Sequence, residues 1–146
     1  MKTILIILFI LFHSALSAQT SEYLKNIPEA SYRWNAIYLA IVHVESRGNH
    51  QAIGTKGDGG VLQILPEGKG GYLDEANRIL GRKEFTNEDR FCPTRSREIW
   101  EVVMAHRNPG KNIDLAIRLH NPKAGGWYRE KVMKEYRKLI KDGKWK

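Results

Sequence analysis

The chain has 146 residues, with 24 Lys and Arg against 16 Asp and Glu, a formal net charge of +8 and a single cysteine, Cys92. That length leaves room for one core of ordinary size, and one cysteine excludes an internal disulfide framework, so apolar burial must hold the fold together. The positive charge attracts polyanions, but the basic residues are scattered along the chain instead of gathered in one stripe, which argues against nucleic acid as the partner.

At the start, Met1-Lys2 is a short basic lead to the apolar run 4–12, and Ser14, Ala15, Ser17 and Ala18 precede the polar Gln19. This pattern reads as a signal peptide over 1–18 with cleavage after Ala18. The apolar run is well short of the roughly 20 residues needed to span a bilayer, so no stable membrane anchor is expected. A lipoprotein would carry cysteine where Gln19 stands. The expected location is exported, either periplasmic or extracellular. Residues 19–30 form a polar lead, and 31–146 read as one domain without internal repeats or low-complexity tracts.

Ser31 is the expected N-cap of a first helix in which Trp34, Ile37, Tyr38, Ile41, Val44 and Glu45 share a face, until Gly48 stops it. Residues 49–71 are glycine-rich, with Gly59-Gly60 and Gly70-Gly71 paired. They read as a loop around a short apolar piece, Val61 to Leu65, where a small hairpin is allowed but not signalled by strict alternation. A short helix from Leu73 to Leu80 ends at Gly81. Pro93 occupies a first-turn position of the next helix, whose stripe is Ile99, Trp100, Val103 and Met104. Cys92, set between Phe91 and Pro93, reads as a buried and inert packing residue. Two further helices carry Ile113, Ala116, Ile117 and His120, then Tyr128, Val132, Tyr136 and Leu139 or Ile140, each set on one face. The Lys-rich end, from Lys131 to Lys146, reads as a solvated helix face. The fold class is mainly α: a single compact helical domain with a glycine-rich loop or small hairpin after the first helix.

Glu45 lies on the core-facing stripe of its helix. A carboxylate there is costly, so desolvation is expected to raise its pKa and keep it protonated near neutrality. Such a carboxylic acid suits proton donation to a glycosidic oxygen. His43, His50, His106 and His120 show neither a paired ligand motif nor the His-Glu-x-x-His pattern, so no metal and no cofactor are expected. His43 reads as structural or exposed.

The stretch from Ala40 through Glu45-Ser46 to Gly48-Asn49 resembles the Glu-Ser motif that ends the catalytic helix of lytic transglycosylases and goose-type lysozymes. Further pieces follow in order. Gly60 to Pro66, including Gln63, is similar to the family's Gly-Leu-Met-Gln-Ile-Met-Pro motif. Ala116 with His120-Asn121 and Gly125 resembles Ala-x-x-x-Tyr-Asn-Ala-Gly, and Tyr128 with Val132 resembles Tyr-x-x-x-Val. The resemblance implies a lysozyme-like α+β fold and a peptidoglycan lytic transglycosylase that cleaves the bond between N-acetylmuramic acid and N-acetylglucosamine.

On that resemblance Glu45 is the catalytic residue, Ser46 orients it, and Gln63, Asn121 and Tyr128 contact the glycan. Pro122-Lys123 departs from the family pattern and fixes the backbone beside Asn121. The single glutamate would act as acid and then as base, leaving a 1,6-anhydromuramyl end. A lysozyme using water would need a second carboxylate, and Asp58 is the candidate, though it is equally well placed as a turn residue. A non-catalytic wall-binding protein of the same fold is the third reading. The expected partner is peptidoglycan glycan, and the small size leaves a place for a cell-envelope assembly partner.

Overall fold

The computed structural model describes residues 29–142, so the signal-peptide reading and most of the polar lead lie outside the described residues. Among the described residues five α-helices carry the fold: α1 (Glu29–Ser46), α2 (Tyr72–Leu80), α3 (Pro93–Arg107), α4 (Ile113–His120) and α5 (Gly126–Lys141). A 3-10 turn, Glu88–Phe91, precedes α3. No strand occurs among the described residues. The glycine-rich segment contains only two isolated antiparallel bridges, Ile53 with Gly59 and Gly59 with Ile64.

α1 is the central helix. Trp34, Ala36, Ile37, Tyr38, Ala40, Ile41 and Val42 are all buried, which covers more of its circumference than one stripe, as expected for a helix enclosed by neighbours. α5 packs along α1, and α4 contacts both. α3 reaches α1 through Trp100, whose ring lies 5.0 Å from Trp34 and 5.5 Å from Tyr38 between centroids. The Trp34 Nε1–H donates to Glu101 at 3.1 Å, so the large aromatic is buried with its polar atom satisfied. Val132 and Tyr136 of α5 and Ile117 of α4 complete the core around this axis.

The helix ends follow local chemistry. Gly81, at φ 65°, terminates α2 in the left-handed conformation, and its N–H and that of Arg82 satisfy the Arg78 and Asn77 carbonyls. Asn112 caps α4 by accepting from the Leu115 N–H at 2.8 Å. The first helix ends at Ser46, and Gly48 at φ 82°, after Arg47 at φ 55°, turns the chain away as expected. Two expectations are corrected. Ser31 is not an N-cap but lies inside α1, because Glu29 and Ala30 are themselves good helix formers. Cys92 is exposed, because it sits at the handover from the 3-10 turn to α3, directly before the Pro93 that opens the helix.

The loop between α1 and α2 lacks regular structure, yet it is firmly tied. Arg90, only 7% exposed, donates from Nη1 to the Gly57 carbonyl at 2.9 Å and the Ile64 carbonyl at 3.0 Å. Gly60 sits at φ 75° with the Arg90 backbone so close that a Cβ there would lie 1.8 Å from its carbonyl oxygen. Glycine is therefore required on two counts, conformation and space. Further along, the Asp74 carboxylate accepts from the Gly68 and Gly70 N–H groups at 2.8 and 2.7 Å, fastening the second glycine pair to the first turn of α2.

Candidate active site

A cleft of about 610 Å³ opens where the C-terminal end of α1 meets the glycine-rich loop, the start of α2 and the end of α4. Glu45, Asp58, Gln63 and Asn121 all line it, together with His120 and Tyr72. Four separate stretches of sequence thus converge on one carboxylate. The cleft is a concave site with a few converging polar groups, the usual form of a small-ligand or polymer site.

The Glu45 side chain is 16% exposed, and its two side-chain partners address the same atom. Tyr128, buried on the first turns of α5, donates its hydroxyl to Oε1 at 2.5 Å. His120, the last residue of α4, brings Nε2 to 3.3 Å from that same oxygen with its own side chain only 4% exposed. Tyr72 stacks on the imidazole at 5.4 Å between centroids. Oε2 has no protein partner among the described residues and is the oxygen left for a ligand.

These contacts reverse one expectation. Burial is the largest single influence on Glu45 and pushes its pKa up, but the His120 imidazole and the Tyr128 hydroxyl together outweigh it and hold the carboxyl below its ordinary value. The free site therefore favours the carboxylate, not the acid. Burial and the neighbouring Glu45 charge push the Tyr128 hydroxyl strongly upward, so Tyr128 stays a donor across the accessible pH range. Burial likewise pushes Tyr72 upward.

Ser46 does not bond the Glu45 carboxyl. Its hydroxyl lies 2.9 Å from the Val61 carbonyl and accepts from the Gly48 N–H at 3.1 Å, which staples the end of α1 to the loop. Its effect on Glu45 is through the backbone. Gln63, at φ 49°, directs its amide nitrogen to the Gly60 and Ala52 carbonyls at 2.9 and 3.2 Å and lines the cleft. Asn121 caps α4 through its backbone N–H, which reaches the Ile117 carbonyl at 3.3 Å, and Pro122 and Lys123 continue the wall beside it.

Asp58 shares the cleft with Glu45 but is bound into its own turn. Its Oδ1 accepts from the Lys56 N–H at 3.2 Å, its carboxyl fills the space a side chain at Gly54 would need, and its charge acts on the buried Arg90. The turn role is built; the carboxylate also borders the cleft. His43 is exposed, 3.8 Å from Glu135. No group of His, Cys, Asp and Glu among the described residues is arranged to hold a metal ion.

Two residues at this centre carry no role in the sequence reading. His120 appears there on a helix face, among the histidines without a metal-ligand motif and inside the motif that holds Asn121, and Tyr72 not at all. The signal for His120 was present, since a histidine on an apolar face one residue before a candidate Asn needs a polar partner. No protein family, characterised protein or solved structure matches this chain.

Proposed function

We propose that the protein is a secreted peptidoglycan lytic transglycosylase with a lysozyme-like fold, and that Glu45 is its acid and base. The observation that carries this reading is the Glu45 carboxylate at the end of a buried helix, engaged on one oxygen by Tyr128 and His120, on a residue that lines the cleft. A single-carboxylate mechanism needs one group that both gives and takes a proton. The arrangement supports it because Oε1 is engaged as an acceptor in either state, while Oε2 is open to exchange the proton.

In the forward step Oε2–H gives its proton to the glycosidic oxygen as the C1–O bond breaks and an oxocarbenium ion develops at the muramyl C1. The resulting carboxylate then removes the proton of the C6 hydroxyl as O6 bonds to C1, giving the anhydro end without water. Tyr128 and His120 stabilise the carboxylate left when the proton departs, which makes Glu45 a stronger donor in the first half and a weaker base in the second. The first half is aided when glycan fills the cleft, since excluding water from Oε2 adds to the burial that already favours the neutral acid.

Charge around the cleft suits this substrate. Lys56, Lys69 and Lys123 line it and have no carboxylate partner among the described residues, while Arg107 is paired with Glu75. Peptidoglycan carries the carboxylates of its peptide stems, and of lactyl groups where a stem has been removed, which a neutral N-acetylglucosamine polymer lacks. Asp58 on the same cleft favours, as a second reading, hydrolysis by water with two carboxylates.

The test is mass spectrometry of fragments released from purified peptidoglycan by the mature protein, beside Glu45→Gln and Asp58→Asn. Loss of a general acid-base group is expected to slow release about 10³-fold, roughly 4 kcal/mol of barrier. Anhydromuramyl ends that persist in Asp58→Asn and vanish in Glu45→Gln support the transglycosylase. Reducing ends abolished by either variant mean a hydrolase. Binding to peptidoglycan without release by any form means a wall-binding protein.

A further inference from the structure

His120 is the buried titratable group that the reaction above does not itself consume. Its Nε2 faces Glu45 Oε1 at 3.3 Å, the ring is stacked by Tyr72, and its Nδ1 is buried without a hydrogen-bond partner among the described residues. A neutral imidazole carries one proton, on one nitrogen only. With a carboxylate oxygen at one nitrogen and nothing at the other, the proton belongs on Nε2. On Nδ1 it would be a buried donor without an acceptor, and a bare Nε2 lone pair would face a carboxylate oxygen.

We propose that His120 is a positioning residue for Glu45: its Nε2–H, with the Tyr128 hydroxyl, fixes Oε1 as a permanent acceptor and confines the exchangeable proton of the acid to Oε2, the oxygen open to the cleft. This deepens the reading of Glu45 as acid and base and rests on it for its catalytic meaning, but the proton positions exist in the resting protein whether or not it cleaves glycan. A carboxylic acid whose two oxygens were equivalent would present the proton to substrate in only part of its population. With two donors on Oε1, the protonated state keeps Oε1 as its carbonyl oxygen and Oε2 as its hydroxyl. Aim is thereby set by contacts from α4 and α5 and does not depend on the rotamer of Glu45 alone.

The groups that bear on this imidazole are few. From α1 comes Glu45 and from α5 the Tyr128 hydroxyl, which remains protonated. From α2 comes the Tyr72 ring, whose hydroxyl is also held protonated by burial and sits within the field of Glu75 and Arg107, which push it in opposite directions. Lys123 follows on the turn after α4 at the cleft. Among the described residues, Glu45 supplies the carboxylate within ion-pair distance of Nε2.

The first experiment uses nitrogen-15 correlation spectra of the full-length mature protein, which report which imidazole nitrogen carries the proton. The expected result for neutral His120 is a protonated Nε2 and a bare Nδ1. An Nδ1–H tautomer overturns the proposal, without any need for a variant or for activity. The second is the carboxyl carbon-13 titration of Glu45 in the wild type, His120→Gln and His120→Leu. Removing the donor raises the Glu45 midpoint in His120→Leu, and His120→Gln, which keeps an N–H, returns it toward the wild type. Equal midpoints in all three would mean that His120 only fills space.

Should His120→Leu fail to fold, the tautomer still decides. With active enzyme, the alkaline limb of kcat/KM moves to higher pH in His120→Leu by the same shift as the Glu45 midpoint. The expected tautomer and midpoints in a protein that releases no fragments from peptidoglycan would leave this proposal standing and remove the glycosidase reading.

Discussion

The two ends of α1 are built on different principles. Around Trp34 and Tyr38 the helix is held by ring-on-ring packing against Trp100, with apolar neighbours on nearly every side. At Glu45 and Ser46 it is held by directed polar contacts, Glu45 to Tyr128 of α5 and His120 of α4, and Ser46 to a loop that has almost no regular structure. The four buried polar atoms without partners among the described residues divide between these regions: Trp100 Nε1 and Ser96 Oγ lie in the helical core, Tyr72 Oη and His120 Nδ1 beside the cleft. Those in the core belong to groups that do not titrate. Those at the cleft belong to groups that stack together beside a carboxylate. One helix thus links a region that supplies stability to one that spends its polar groups on aiming a side chain.

This difference is broken most strongly at the core end. Trp100→Ala removes a fully buried ring that both Trp34 and Tyr38 touch, and a cavity of that size is expected to cost about 4 kcal/mol of unfolding free energy. Denaturant titration measures it. The molecules that remain folded should keep the wild-type Glu45 environment, since Trp100 makes no contact with the cleft; a Glu45 midpoint altered as much as the stability would show that the two ends are not separate.

Gly60→Ala tests the loop. The left-handed backbone at φ 75° and the Arg90 carbonyl in the path of a Cβ are expected to cost about 2–3 kcal/mol together. Gly48→Ala is the control, because its φ is 82° but nothing lies within 4 Å of the added carbon, leaving only the conformational part, about 1 kcal/mol. A thermal melt that separates the two variants assigns the remainder to the Arg90 clamp. Gly60→Ala should also reduce activity per folded molecule, because Gln63 and Ser46 both take their positions from the segment that must move.

Much of this architecture was legible in the sequence because it is encoded locally. Gly81 and Pro93 mark the end of α2 and the start of α3, and the spacing of Ile99, Trp100, Val103 and Met104 marks the buried face of α3. The convergence of Glu45, Gln63, Asn121 and Tyr128 on one region was legible through the order of their motifs, though not from periodicity. What was not legible is long-range and polar. Arg90 reads as one more charge in a basic chain, and nothing around it announces that its guanidinium will seek carbonyls in a loop some thirty residues earlier. The exposure of Cys92 depends on a 3-10 turn that leaves little sequence trace. The direction of the Glu45 shift failed for a similar reason: a helical stripe reveals burial, the one influence that raises it, but not the imidazole and hydroxyl that other helices bring against it.

That last correction leads to the smallest expected effect. A carboxyl held below its ordinary value in the folded state is ionised more readily there than in the unfolded chain, so the unfolded state binds more protons in the intervening range. The resulting stabilisation is fully present above the ordinary carboxylate range and is lost as pH falls through the depressed folded value. Glu45→Gln removes this linkage. Unfolding free energies measured from pH 7 down to pH 3 should therefore fall less steeply for Glu45→Gln than for the wild type, with the two curves parallel above pH 6. A wild-type curve that fell less steeply than the variant's would mean that burial outweighs Tyr128 and His120 at Glu45, and the site would then hold a neutral acid in its resting state.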